Sequence, residues 1–180
     1  KISNPAFFTE NQRGVNPHDS LTPDHSARIV LRHVTEGVQR AEKAKLPAVI
    51  KDFILQHHGK GKAKFFYMKA CEAAGGAENV DDSIYTYPGP NPNTRETTIL
   101  MIADATEAAA KSLQEHSDEA IRTLVERIID SQRADGLYVD SPLTFREMEI
   151  VKKTIVERLC MTYHTRVSYN MKSNTDNSKK

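Results

Sequence analysis

Apolar residues recur at three- and four-residue spacing along almost the whole chain, and this period constrains the fold more than any other feature. A stripe so spaced comes together only on a helix, where side chains return to one face every 3.6 residues. Thr22-Pro23 reads as an N-cap followed by proline at the first helical position. From Ser26 to Lys45 only Gly37 interrupts, and Val30, Val34, Val38 and Ala41 predict a buried stripe. Pro47 opens a second helix with Val49, Ile50, Phe53 and Ile54 on its apolar face. It ends at His57-His58-Gly59, with Gly59 at C′. A third helix runs from Ala63 to Ala74 and stops at Gly75-Gly76. Residues 77–93 read as a loop, because no helix or central strand accommodates Tyr87-Pro88-Gly89-Pro90-Asn91-Pro92. Thr94 caps a helix carrying Ile99-Leu100-Met101-Ile102-Ala103. Ser117 or Asp118 caps another with Ile121, Leu124, Val125, Ile128 and Ile129 on one face. After a turn at Asp135-Gly136, a last long helix starts within Pro142–Thr144, with Phe145, Met148, Ile155, Leu159 and Val167 facing inward. Only Gly136 to Asp140 alternates as a strand does, and no internal repeat is present. These signals together predict an all-α domain.

Composition narrows the function. The 180 residues suffice for one domain that buries roughly 70% of its unfolded surface. With 25 basic and 24 acidic side chains the net charge is +1, which excludes a global field drawing in DNA, RNA or an anionic membrane. No apolar run approaches the roughly 20 residues that cross a bilayer. Two cysteines, Cys71 and Cys160, exclude a disulfide scaffold and suit a reducing compartment.

Three features stand out against this helical background. His57-His58 sits at a helix end; adjacent helical side chains diverge by about 100°, which suits two neighbouring metal ions, while a solvated helix end meeting the dipole is the plain alternative. Asp104 lies in a helix apolar nearly all round, where a carboxylate needs a metal ion, an arginine or cap donors. His33 borders the inward stripe of the first helix, as a ligand or as a satisfied core histidine. Taken together, three histidines and an aspartate from three helices make a set suited to a bundle metal site, with iron, manganese or zinc. Thiolate ligation is not indicated, since neither cysteine has a partner at finger-like spacing.

The order His33, then His57-His58-Gly59, then Ala103-Asp104 with Glu107-Ala108 resembles the HD-type phosphohydrolases with binuclear metal centres. Within them the chain is most similar to the cytoplasmic HD domain of the PgpH-like, seven-transmembrane phosphodiesterases that cleave cyclic di-AMP. Asn4-Pro5 to Asn11-Gln12, Asn16-Pro17-His18-Asp19, Arg32 to Gly37, Gln56 to Gly59, Tyr87-Pro88-Gly89-Pro90, Asp130-Ser131-Gln132 and Ser141 to Thr144 carry the likeness through nearly the whole chain. It implies an HD-domain helical bundle over residues 1–172, while the polar composition of 173–180 itself predicts a disordered tail. It also implies two divalent transition-metal ions, iron or manganese, on His33, His57, His58 and Asp104, activating a shared water against phosphorus.

Lys1 to Phe8 matches the continuation of the family's His-Asp-Ile-Gly-Lys stretch. Lys1 is then its last residue, a candidate catalytic group that neutralises phosphate or helps protonate the leaving 3′ oxygen. The domain is expected to be N-terminally truncated just past the His-Asp pair, and so impaired by itself. Its parent is expected to be membrane-embedded, with this domain soluble at the cytoplasmic face. Lys64, Tyr67 and Lys69 are the candidates for binding a cyclic dinucleotide, with cations for phosphates and a ring for stacking. A solvated basic face covering Phe65 and Phe66 is the alternative. The Tyr87–Asn93 loop is a pocket wall or a plain connector. The family likeness leaves open cyclic di-GMP or ppGpp as substrate, a non-catalytic nucleotide-binding or regulatory module, and an oligomer.

Overall fold

The computed structural model describes residues 5–8 and 16–171, with side chains described through Tyr163. Lys1, the stretch around Asn11-Gln12, the Val167 side chain and the tail lie outside the described residues. Six α-helices follow in order: α1 (Pro23–Lys43), α2 (Ala48–Gln56), α3 (Lys64–Ala74), α4 (Arg95–Ala110), α5 (Asp118–Ala134) and α6 (Phe145–Met171). No strand occurs among the described residues, only an isolated bridge between Lys62 and Thr86. The all-α expectation holds, and the Gly136–Asp140 alternation folds as a turn.

The helices form two packed groups. In α1, Ala27, Val34 and Ala41 are buried at seven-residue spacing, with Val30 and Val38 half-buried beside them. This face receives α2 and α3. Gly37 lets α2 come close, since a Cβ there would lie 2.8 Å from Ile54 Cγ2. The second group, α4 to α6, encloses the main core of Ile102, Ala110, Ile121, Leu124, Val125, Ile129, Val151, Val156 and Leu159. Contact between α2 and α4 joins the two groups. No described helix is long and apolar enough to cross a membrane.

Several sequence expectations need correction. Val49 and Ile50 are exposed, because short α2 meets α1 mainly through Phe53 and Ile54. Phe145 is 88% exposed, since the first turn of α6 lies outside the core that begins with Met148 and Val151. Ile99 and Leu100 are partly exposed, so α4 is not buried all round. Residues 77–93 contain two short 3₁₀ turns, Ala77–Asn79 and Asp82–Tyr85, and a cis Gly89–Pro90 bond.

Candidate metal centre

The site lies where the two helix groups meet. His33 projects from α1, and His57 and His58 follow α2 directly. One ring nitrogen from each lies within 4.8 Å of the others. The His57 and His58 rings do not diverge as neighbours within a helix would: their centroids are 4.1 Å apart. The reason is that α2 ends at Gln56, so His57 is its C-cap and His58 is already beyond it. Gly59 therefore stands one residue past the expected C′ place, with a left-handed φ of +56°.

Backbone carbonyls fix the ring tautomers. His33 Nδ1 lies 2.6 Å from the Val30 carbonyl and His57 Nδ1 lies 2.7 Å from that of Ile54. The Ile54 carbonyl is one of the last four of α2, which have no partner inside the helix. A carbonyl only accepts, so in the neutral rings Nδ1 donates and Nε2 presents its lone pair. The two Nε2 atoms lie 2.9 Å apart. Facing lone pairs at that separation call for a cation. At a metal–imidazole length of roughly 2.1 Å they would subtend nearly a right angle, as neighbouring ligands of an octahedron do. The donor set thus fits a divalent metal.

Asp104 approaches from α4, its Oδ2 3.9 Å from His58 Nδ1. Its side chain is 32% exposed rather than buried. Among the described residues no arginine or lysine pairs with it, which removes one alternative considered for this carboxylate. Tyr87 stacks on His58 with centroids 4.2 Å apart and planes 27° from parallel. Burial, reinforced by the Asp104 charge, pushes its phenol well above the ordinary range, so it stays protonated. The Phe8 ring meets His33 edge-on at 5.5 Å.

A row of contacts holds the histidine pair, and the sequence carried little sign of it. Buried Gln56 accepts the Asn93 N–H at 3.1 Å. Asn91, also buried, accepts the Lys60 N–H at 3.0 Å and donates to the Gly136 carbonyl at 3.3 Å. The Tyr87 N–H donates to Gly61 and the Ala63 N–H to Tyr85, both at 2.8 Å. The Tyr87–Asn93 segment is thus a brace along the histidine segment; its repeated Asn and Pro were the available signal. Gly59 is required here, since a Cβ would lie 2.9 Å from Asn91 Oδ1.

Of the candidates on α3, Lys64 lines a cavity of about 470 Å³ beside His58, where Nζ pairs with Asp135 at 2.6 Å. Tyr67 and Lys69 do not line that cavity. Tyr67 meets Tyr85 and lies under Lys62, and Lys69 lies over Phe65. Phe65 is 60% exposed, so the view of both phenylalanines as core fails for it. Half-buried Phe66 packs on His18.

Comparison with known proteins matches residues 10–109 to the HD domain family. The chain is 36% identical over 170 residues to the cyclic-di-AMP phosphodiesterase PgpH of Bacillus subtilis (strain 168), covering 94% of this chain and 24% of that protein. It thus spans about a quarter of that curated relative's length. The crystal structure of the L. monocytogenes PgpH HD domain superposes with a TM-score of 0.83 at 36% identity, over 91% of this chain and 76% of that one. The same domain in complex with cyclic di-AMP also gives a TM-score of 0.83, at 37% identity over 88% and 73% of the two chains.

Proposed function

The chain belongs to the HD domain family, and we propose that it is the hydrolytic domain of a metal-dependent phosphodiesterase acting on cyclic di-AMP. The observation that carries this is the convergence of His33, His57 and His58 next to Asp104. Identity to a cyclic-di-AMP phosphodiesterase over nearly the whole chain supports the substrate. Imidazole with carboxylate suits two divalent transition-metal ions, iron or manganese. When bound, the ions supply Lewis acidity towards the phosphoryl oxygens and lower the pKa of water.

The chain's own residues aim and insulate that chemistry. The Val30 and Ile54 carbonyls hold the far nitrogens of His33 and His57, so their Nε2 lone pairs stay aimed inward. Tyr87 keeps the His58 ring flat and, being protonated, adds no negative charge. Of the α3 candidates for the substrate, Lys64 lines the cavity beside His58, paired there with Asp135, whereas Tyr67 and Lys69 lie outside it. Location at the cytoplasmic face of a membrane follows from the family likeness.

Metal-loaded protein is expected to open cyclic di-AMP to its 5′-phosphorylated linear dinucleotide. His57→Ala or Asp104→Ala should lower both metal content and kcat/KM, the latter by at least about a hundredfold. Protein with a full metal complement that leaves cyclic di-AMP intact contradicts the proposal.

A further inference from the structure

Ahead of α1 the chain carries a histidine that the metal centre does not use. Asn16 caps the short turn Pro17–Ser20, its Oδ1 accepting the His18 N–H at 3.1 Å. His18 itself is buried, only 9% exposed. Its ring meets two phenylalanines: Phe7 lies edge-on at 5.1 Å, and Phe66 of α3 packs on it at 4.8 Å. Nε2 lies 2.9 Å from the Phe7 carbonyl, eleven residues earlier. A carbonyl only accepts, so in the neutral ring Nε2 donates and Nδ1 keeps the lone pair. That Nδ1 is buried with no hydrogen-bond partner among the described residues.

An orphaned acceptor at this depth opposes folding. A phenylalanine or leucine would fill the space without one. What histidine adds is the N–H on the Phe7 carbonyl, which fixes the backbone directly before Phe8. Phe8 is buried, and its ring meets His33 edge-on, with centroids 5.5 Å apart and planes 86° from parallel. The Val30 carbonyl holds His33 at Nδ1. The χ2 torsion of histidine is broad, so that one bond leaves the imidazole plane room to rock, and the Phe8 edge narrows it. Contact thus runs from Phe66 of α3 through His18, the Phe7 carbonyl and Phe8 to His33.

We propose that His18 is a positioning residue for the candidate metal centre, an inference that rests on the metal-dependent function proposed above. Its N–H on the Phe7 carbonyl sets the Phe8 ring against His33 and so keeps His33 Nε2 aimed at the ion.

Two substitutions at His18 separate the hydrogen bond from the packing. His18→Phe keeps an aromatic ring but cannot donate. His18→Gln loses the ring but places an amide N–H near where Nε2 stood. The readouts are manganese titration by calorimetry and the His33 ring signals of metal-free protein by NMR. His18→Phe should weaken manganese about tenfold, the lower end for loss of a ligand-orienting contact, and His18→Gln by less than about twofold. The His33 signals should move in His18→Phe and stay near wild type in His18→Gln. Phe8→Leu leaves His18 intact and the space apolar, and it should weaken manganese about tenfold as well; it decides the matter if His18→Phe does not fold. Unaltered manganese affinity in His18→Phe and Phe8→Leu overturns the proposal. So does a loss that is equal in both His18 variants and follows their Tm. Wild-type protein that does not bind manganese sinks the metal centre instead. His33 signals that still move in His18→Phe alone then leave the positioning of His33 standing, and signals that do not move overturn it.

Discussion

Gly59 joins the histidine pair to the brace. Its φ of +56° lies where only glycine is at ease, and Asn91 occupies the space a Cβ would need. Gly59→Ala should therefore cost about 1–3 kcal/mol, read as a lower Tm. Metal content should fall with it, because the shift falls on the residue after His58. An unchanged Tm would mean that the close approach is not constraining. The three histidines were legible in the sequence because each broke an otherwise apolar helical pattern or stood at a helix end. Their partners were not. Gln56, Asn91 and Asn93 look like ordinary polar residues until folding brings positions 37 or so residues apart within hydrogen-bond reach, and local periodicity carries no information at that range. Tyr87 was legible as part of a rigid loop, but its stacking on His58 depends on where that loop lands.

At the scale of elements, helix starts were the most legible feature. Thr94 and Thr97 form a reciprocal capping box at α4, and Ser117 caps α5. The same device opens α6: Thr144 Oγ1 accepts the Glu147 N–H at 3.2 Å, and Glu147 accepts the Thr144 N–H at 2.8 Å. Glu147 also accepts from Arg95 Nε at 2.9 Å, tying the start of α4 to that of α6. The Thr144 N–H, then its hydroxyl, then Arg95 hold the Glu147 carboxyl down at about 2, below its ordinary 4.5. A lowered folded-state pKa gives stability that is complete above the unfolded value and disappears as pH falls through the folded one. The Tm gap between wild type and Glu147→Gln should therefore be constant above about pH 5 and close between about 4.5 and 2. A gap independent of pH would show that this cap does not depend on charge. Stripe ends were less legible. Periodicity marks which face of α6 is apolar but not that Phe145 precedes the core, nor that α2 is too short to bury Val49.

For the whole molecule, the candidate metal centre lies on the seam between the two helix groups. His33 and the histidine pair come from the group of α1 to α3, and Asp104 from the group of α4 to α6. The cavity beside His58 likewise has walls from both groups. Metal and substrate would thus bind across a junction between two separately packed units, and their binding energy would add to its stability. The helical architecture could be read from period and punctuation alone. The seam could not, because which groups of helices meet is decided by packing of faces from distant parts of the chain. The most direct measurement is anomalous diffraction from crystals of the protein grown with manganese. Strong anomalous density is expected within bonding distance of Nε2 of both His33 and His57 and of a ring nitrogen of His58. Crystals in which those three side chains are ordered but manganese scatters only elsewhere, or nowhere, would contradict the metal centre.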